Sequence, residues 1–320
     1  MRVQGYFAMF AGLFVFTAQA VADYPEKPIA LVQGFAAGGN GDVIARIIGG
    51  GLSKEFGQQV LVEARTGAGG NIASASVAKA SADGYTLILM TGGHAVSAAI
   101  YKQLAFDPIE DFTWLSTVTT FPFVISVKSD SRIKDIADLV AIARGAPGAL
   151  SYSSVGIGST QHLSGELLQS MAKISLNHIP YRGGSGPVQD VLGGRVDLMF
   201  DSVTVTRVNV QAGRLRALGV TSAKSIPQLP DVPPVAATIP GYEVMSWTGL
   251  AAPKNLPDAI AKRLHAAMLK VLASPEIQTQ LDATGGVPSP SNAPGDMKSF
   301  VTKQIMQWKK VVADAKIPQQ

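Results

Sequence analysis

Two glycine-rich turns, one in each half of the chain, each follow an apolar strand-like run and open an amphipathic helix. The first reads Phe35-Ala36-Ala37-Gly38-Gly39-Asn40-Gly41-Asp42 after the run at 29–33. The second reads Ser153-Ser154-Val155-Gly156-Ile157-Gly158-Ser159-Thr160-Gln161-His162 after the run at 149–152. A strand that turns through glycines straight into a helix is a βα unit, and repeated βα units make α/β proteins with mainly parallel sheets. Glycine also lets main chain approach a ligand closely, and a helix N-terminus presents unpaired N–H groups with partial positive charge. Two such turns facing each other form a pincer for a small anion.

The strand–turn–helix pattern repeats along the chain and restarts near residue 123. Strands are predicted at 29–33, 59–63, 85–90, 121–127, 149–152, 175–180, 196–200 and 246–251, with helices between most of them. In the helix over 42–56, Ile44, Ile48, Leu52 and Phe56 share a face with Val43 and Ile47. Gly49-Gly50-Gly51 interrupts it, at about 0.5–1 kcal/mol per glycine relative to alanine, so close packing must hold the helix there or it bends. Five prolines between Pro227 and Pro240 mark a connection, and three helices end the chain, the last with Val301, Ile305, Trp308 and Val312 on one face. With 320 residues, 47% of them hydrophobic, two domains are expected.

Residues 1–22 read as a cleaved secretory signal peptide: Arg2, an apolar run from Tyr6 to Thr17, and the small-x-small site Ala20-Val21-Ala22. No later stretch has the roughly 18 uncharged residues of a membrane span, so the mature protein is expected outside the cytoplasm. The absence of cysteine excludes disulfides, thiol catalysis and zinc–thiolate sites. The 27 lysines and arginines are dispersed, without a basic stripe and interleaved aromatics, which argues against nucleic acid as a partner. No metal-ligand spacing surrounds His94 or His162, and the glycine turns match neither the P-loop nor the Rossmann fingerprint, so neither metal nor cofactor is expected.

Nine stretches, in order, resemble the Bug-type solute receptors of tripartite tricarboxylate transporters. They are Tyr24-Pro-Glu-Lys-Pro-Ile29; Phe35-Ala-Ala-Gly-Gly39 with Asp42 and Ala45-Arg46; Gly67-Ala-Gly-Gly-Asn71; and Ala82-Asp-Gly-Tyr-Thr-Leu87. Gly156-Ile-Gly-Ser-Thr-Gln-His-Leu163, Ile179-Pro-Tyr-Arg-Gly-Gly184, Gly193-Gly-Arg-Val-Asp-Leu-Met-Phe-Asp201, Gly213-Arg-Leu-Arg-Ala-Leu218 and Gly249-Leu-Ala-Ala-Pro253 complete the set. The resemblance implies a periplasmic binding protein of the two-lobe, type II-like α/β fold, with the ligand cleft between lobes. It implies a first lobe of residues 23–122 plus 245–320 and a second of 123–244. The implied ligand is a small carboxylate (a di- or tricarboxylate, acidic amino acid or aromatic acid), and the implied partners are membrane permease subunits, with a membrane sensor as the alternative recipient. A monomer is expected.

The main-chain N–H groups of Phe35, Ala36, Ala37, Gly38 and Gly39 are the first candidate ligand contacts, joined by Asn40 and Asp42, although Asp42 by itself suits a helix start better than a ligand contact. The opposing jaw comprises Ser154, Gly156, Gly158, Ser159, Thr160 and Gln161; N-capping explains one hydroxyl of Ser159 and Thr160 but not both. Tyr181, Gly183 and Gly184 form a third edge, with Tyr181 as readily a packing residue. His94, after a glycine turn, is a further candidate, and Asp201 ends an apolar strand where open α/β sheets place ligands. The competing enzyme reading, an exported hydrolase built on Ser159, His162 and Asp201, lacks the Gly-x-Ser-x-Gly elbow.

Overall fold

A computed structural model describes residues 24–320; the leader segment expected at 1–22 lies outside the described residues. The first run of elements is β1 (Ile29–Gln33), α1 (Asn40–Phe56), β2 (Val60–Ala64), α2 (Asn71–Ala78), β3 (Thr86–Thr91), α3 (Gly93–Ile100) and β4 (Phe112–Lys128). The chain continues through α4 (Ile136–Gly145), β5 (Ser151–Ser154), α5 (Thr160–Ala172), β6 (Asn177–Pro180), α6 (Gly186–Leu192), β7 (Leu198–Ser202), α7 (Val203–Gln211) and β8 (Leu215–Val220). It ends with β9 (Met245–Pro253), α8 (Asp258–Ala273), α9 (Pro275–Ala283), β10 (Val287–Pro288) and α10 (Pro294–Asp314).

The strands line up as β2-β1-β3-β9-β4-β7-β5-β6, with β8 and β10 also paired to β4. The parallel pairing expected of βα units joins β1 to β2 and β3, and β5 to β6 and β7. At the centre the pairing is antiparallel, because β4 carries the chain out of the first half and β9 brings it back. Residues 112–122 of β4 pair with β9, whereas Phe123 onward pairs with β7 and β8. One 17-residue strand therefore belongs to both halves, and the strand expected at 121–127 is only its second part. Its first part carries Ser116, Thr117 and Thr119, polar in sequence yet buried. They are satisfied sideways, as in the 2.8 Å hydrogen bond between the Thr119 and Thr248 hydroxyls.

Ile44, Ile48 and Leu52 of α1 pack with Leu264, Met268 and Leu272 of α8 in one apolar core beside β1 and β3. The glycine triplet stays inside α1, and packing explains its two outer members. A Cβ on Gly51 would meet Val271 Cγ1 at 2.5 Å, and one on Gly49 would meet Val62 Cγ2 at 3.3 Å. The side-chain-free strip lets α1 lie directly against α8 and β2. Gly50 faces open space, with nothing within 4 Å of its would-be Cβ. Urea unfolding separates these roles: Gly51→Ala is expected to lose about 1–3 kcal/mol to overpacking, and Gly50→Ala to gain up to about 1 kcal/mol from helix propensity.

Candidate functional site

The C-terminal ends of β1, β3, β5 and β7 converge on one cleft, the position at which open α/β sheets receive ligands. It lies between Phe35, Asn40 and Gly41 of the first half, Ser159, Thr160, Gln161 and Asp201 of the second, and the strand residues Phe121, Phe123 and Ser246. Gly39, Thr91, Val155, Gly183 and Gly184 complete the wall. Asp201 is the single ionisable side chain among these residues, and among the described residues no lysine, arginine or histidine lines the cavity.

Donors come instead from two helix starts. In the first turn, Gln33 Oε1 takes the Phe35 N–H at 2.7 Å, the Arg182 carbonyl takes that of Ala36 at 3.1 Å, and Asp42 Oδ2 takes that of Gly38 at 3.1 Å. Those amides are spent on shaping the turn, and Ala37 and Gly38 are exposed outside the cavity. Among the described residues, the cavity-wall donors of this turn left without a protein acceptor are the N–H groups of Gly39, Asn40 and Gly41, where the chain enters α1. Asp42 is nearly fully buried, and it also accepts from Arg46 Nε at 3.0 Å. It therefore organises the helix start, the role its position in the first turn already suggested.

The second jaw is built the same way. The Ser159 side chain caps α5, accepting from His162 N–H at 3.2 Å while its hydroxyl donates to the Gly156 carbonyl at 2.6 Å. Thr160 and Gln161 keep free N–H groups, and the Gln161 side-chain amide has no protein partner. Ser154 is drawn away from the cleft by a 2.7 Å hydrogen bond with His178 Nε2. Gly156 and Gly158 lie outside the cavity wall, packed against Gly69 and Tyr101 of the opposite half. Tyr181 likewise stays outside, its hydroxyl donating to Asp190, which also holds Arg195.

The jaws already touch. Ala36 and Gly183 form a β-bridge, and the Thr204 hydroxyl of α7 donates to Asn40 Oδ1 at 2.6 Å. Asn40 is thus a latch between halves, with its amide NH₂ left for the cavity. Gly183 and Gly184 sit at φ +86° and +72°, and a Cβ on either would come within 3.0 Å of Phe35 or Ala36. That conformation and that clearance require glycine.

His94 is not at the cleft wall. It stacks on Phe106 at 5.6 Å, with Phe112 and Trp114 edge-on, and donates from Nε2 to the Pro108 carbonyl at 2.7 Å. The Ser159–His162–Asp201 set of the competing hydrolase reading is not assembled either. The His162 ring stacks on His178 at 4.3 Å, its Nδ1 accepts from Gly158 N–H at 3.4 Å, and Asp201 accepts from Ser202. Sequence reasoning missed Gly41, Thr91, Phe121, Phe123, Val155 and Ser246. Gly41 and Val155 were inside the turns already singled out, and Thr91 opens the glycine turn before His94; Phe121, Phe123 and Ser246 come from strands brought in by long-range pairing, and no local motif marks them.

The chain matches the family model described as tripartite tricarboxylate transporter family receptor over residues 44–317. A protein from the tcbD-tcbE intergenic region of Pseudomonas sp. (strain P51) is 40% identical over 302 residues, 94% of this chain and 90% of that protein. The structure of R. palustris Rpa4515 with adipate is similar at 36% identity and a TM-score of 0.89, covering 93% of this chain and 100% of that one. MatC from Rhodopseudomonas palustris with bound malate is similar at 31% identity and a TM-score of 0.85, covering 90% and 100%.

Burial lowers His94, His162 and His178 to a pKa of about 4 each. A histidine whose folded pKa lies below its unfolded value of about 6.5 costs stability as pH falls through that window, because only the unfolded chain takes the proton readily. Asp201, raised to about 7, acts in the opposite direction, but one group opposes three. The melting temperature should therefore fall by at least about 5 °C between pH 7 and pH 4.5, as followed by circular dichroism; an unchanged value would contradict burial of the three rings.

Proposed function

We infer the function from family and cleft together: the chain belongs to the tripartite tricarboxylate transporter receptor family, and it acts as an exported receptor for a small dicarboxylate. The observation that carries this reading is the pair of helix N-termini, α1 and α5, that open onto one cavity with unpaired N–H groups and no cation. Fixed amide dipoles in a desolvated cleft replace the hydration of an anion without a counter-charge. The relatives holding adipate and malate support a dicarboxylate ligand here. Phe35, Phe121 and Phe123 supply apolar walls for the carbon chain between the carboxylates.

Capture works by closure. The chain passes between halves along β4 and β9, and the proposed hinge lies there, separating a lobe of 23–122 plus 245–320 from a lobe of 123–244. The Ala36–Gly183 bridge and the Asn40–Thr204 hydrogen bond hold the closed form. The loaded receptor then delivers the ligand to membrane permease subunits, and the leader at 1–22 carries the protein to the periplasm.

Isothermal titration with a panel of four- to six-carbon dicarboxylates tests the reading, with at least one member expected to bind at micromolar affinity or better. A panel that neither binds nor raises the melting temperature would refute it. Gly184→Ala, which places a Cβ 3.0 Å from the Ala37 carbonyl oxygen, is expected to hold the jaws apart. It should weaken binding at least about tenfold while the far-ultraviolet spectrum stays native; undiminished affinity would contradict the closure mechanism.

A further inference from the structure

The cavity wall holds a carboxyl group where an anion is expected, and nothing on the wall neutralises it. Asp201, the penultimate residue of β7, has 3% exposure. Its Oδ1 accepts from the Ser202 N–H at 2.7 Å and lies 3.4 Å from the Ser202 hydroxyl, while Oδ2 has no hydrogen-bond partner among the described residues. The other cavity-lining side chains are aromatic, aliphatic, hydroxyl or amide.

The charged and titratable groups on surrounding elements are engaged elsewhere. His162 and Glu166 of α5 are turned to His178 and to the Tyr152 hydroxyl of β5. Asp190 of α6 is held by Tyr181 and Arg195, and Lys128 of β4 by Asp130. Asp197, just before β7, accepts from Ser151, and Asp42 of α1 is paired with Arg46. Arg182 between β6 and α6 is exposed, and neither it nor Arg207 of α7 is hydrogen-bonded to Asp201.

Two ligand chemistries satisfy a carboxyl in such a place. An ionised Asp201 would need a cation or strong donor from the ligand; a protonated one would itself donate. The two bonds to Ser202 decide where a proton would sit, because both occupy Oδ1 and leave Oδ2 facing the cavity. Building on the receptor function above, we propose that Asp201 selects for a second carboxylate on the ligand. It meets that carboxylate as a neutral acid donating from Oδ2–H, so that one proton enters the cleft with each dianion. The proton comes from bulk water and stays on Asp201, and no bond within the ligand changes. Burial already pushes the Asp201 carboxyl up to about 7, with only the Ser202 bonds opposing it and no charged neighbour contributing. A ligand anion brought against it pushes in the same upward direction. The neutral form also removes the repulsion that two carboxylates in a dry cavity would otherwise create.

The test is titration calorimetry of the wild-type protein with the tightest-binding dicarboxylate of a panel that includes adipate and malate, between pH 6 and pH 8.5. Both ligand carboxylates stay ionised over that range. Kd is expected to rise roughly thirtyfold across it, and heats in buffers of different ionisation enthalpy should show net uptake approaching one proton near pH 8. Asp201→Asn keeps its carbonyl oxygen on Ser202 and turns its NH₂ toward the cavity, so its Kd should be flat with pH and tighter than wild type at pH 8.5. Dicarboxylate binding with a flat Kd and no proton uptake in the wild type overturns the assignment of Asp201 and leaves the receptor function standing. Affinity that instead improves as pH rises, with an amino acid preferred and lost in Asp201→Asn, overturns it in favour of an ionised acceptor. Failure of every carboxylate to bind at any pH overturns both.

Discussion

Backbone amides left over at two helix starts are the constraint around which this molecule is arranged. A helix cannot satisfy its own first N–H groups, and in α1 and α5 the side chains that ordinarily take them are committed elsewhere or absent. Gly39 has no side chain to cap α1, and Asp42 reaches backward to Gly38 instead. Ser159 caps only His162. What remains on each side is a small cluster of donors at the wall of one cleft, and in the proposed function an anion bridging them completes hydrogen bonds that neither side completes alone.

The rest of the fold serves that juxtaposition. Parallel βα units put the donors at the C-terminal ends of β1 and β5, and the continuous strand β4 ties the two units into one path. Packing of α1 against α8 through Gly51 fixes the first jaw to its lobe. Beneath the second jaw, the stacked rings of Tyr152, His178 and His162 give the turn at Gly156–Ser159 a firm floor. Burial holds His162 and His178 neutral, and in the proposed function recognition falls to dipoles because the cavity lining carries no cationic side chain among the described residues.

Much of this was readable in the residues, for a physical reason: a βα turn is local. The β1–α1 and β5–α5 turns, the Gly183-Gly184 edge and Asp201 each follow from a few consecutive residues. Residues contributed by pairing between distant strands were not readable. Phe121, Phe123 and Ser246 reach the cavity only because β4 and β9 cross it, and Thr119 or Ser116 look like loop residues until their partners across the sheet are known. The segment Val203–Gln211 has alternating valines suited to a strand, yet forms α7 because it leaves β7 directly and buries Val203, Val205 and Thr206. His94 misled because a histidine beside a glycine turn suggests a contact, whereas here it completes an aromatic core.

The most direct test of the central claim is to follow backbone amides by nuclear magnetic resonance while a dicarboxylate is titrated into the protein. Amide protons of Asn40, Gly41, Thr160 and Gln161 should move downfield together and saturate with one binding curve, as new acceptors reach both helix starts at once. Saturable binding that leaves those four resonances in place, and shifts amides remote from both turns, would contradict the account.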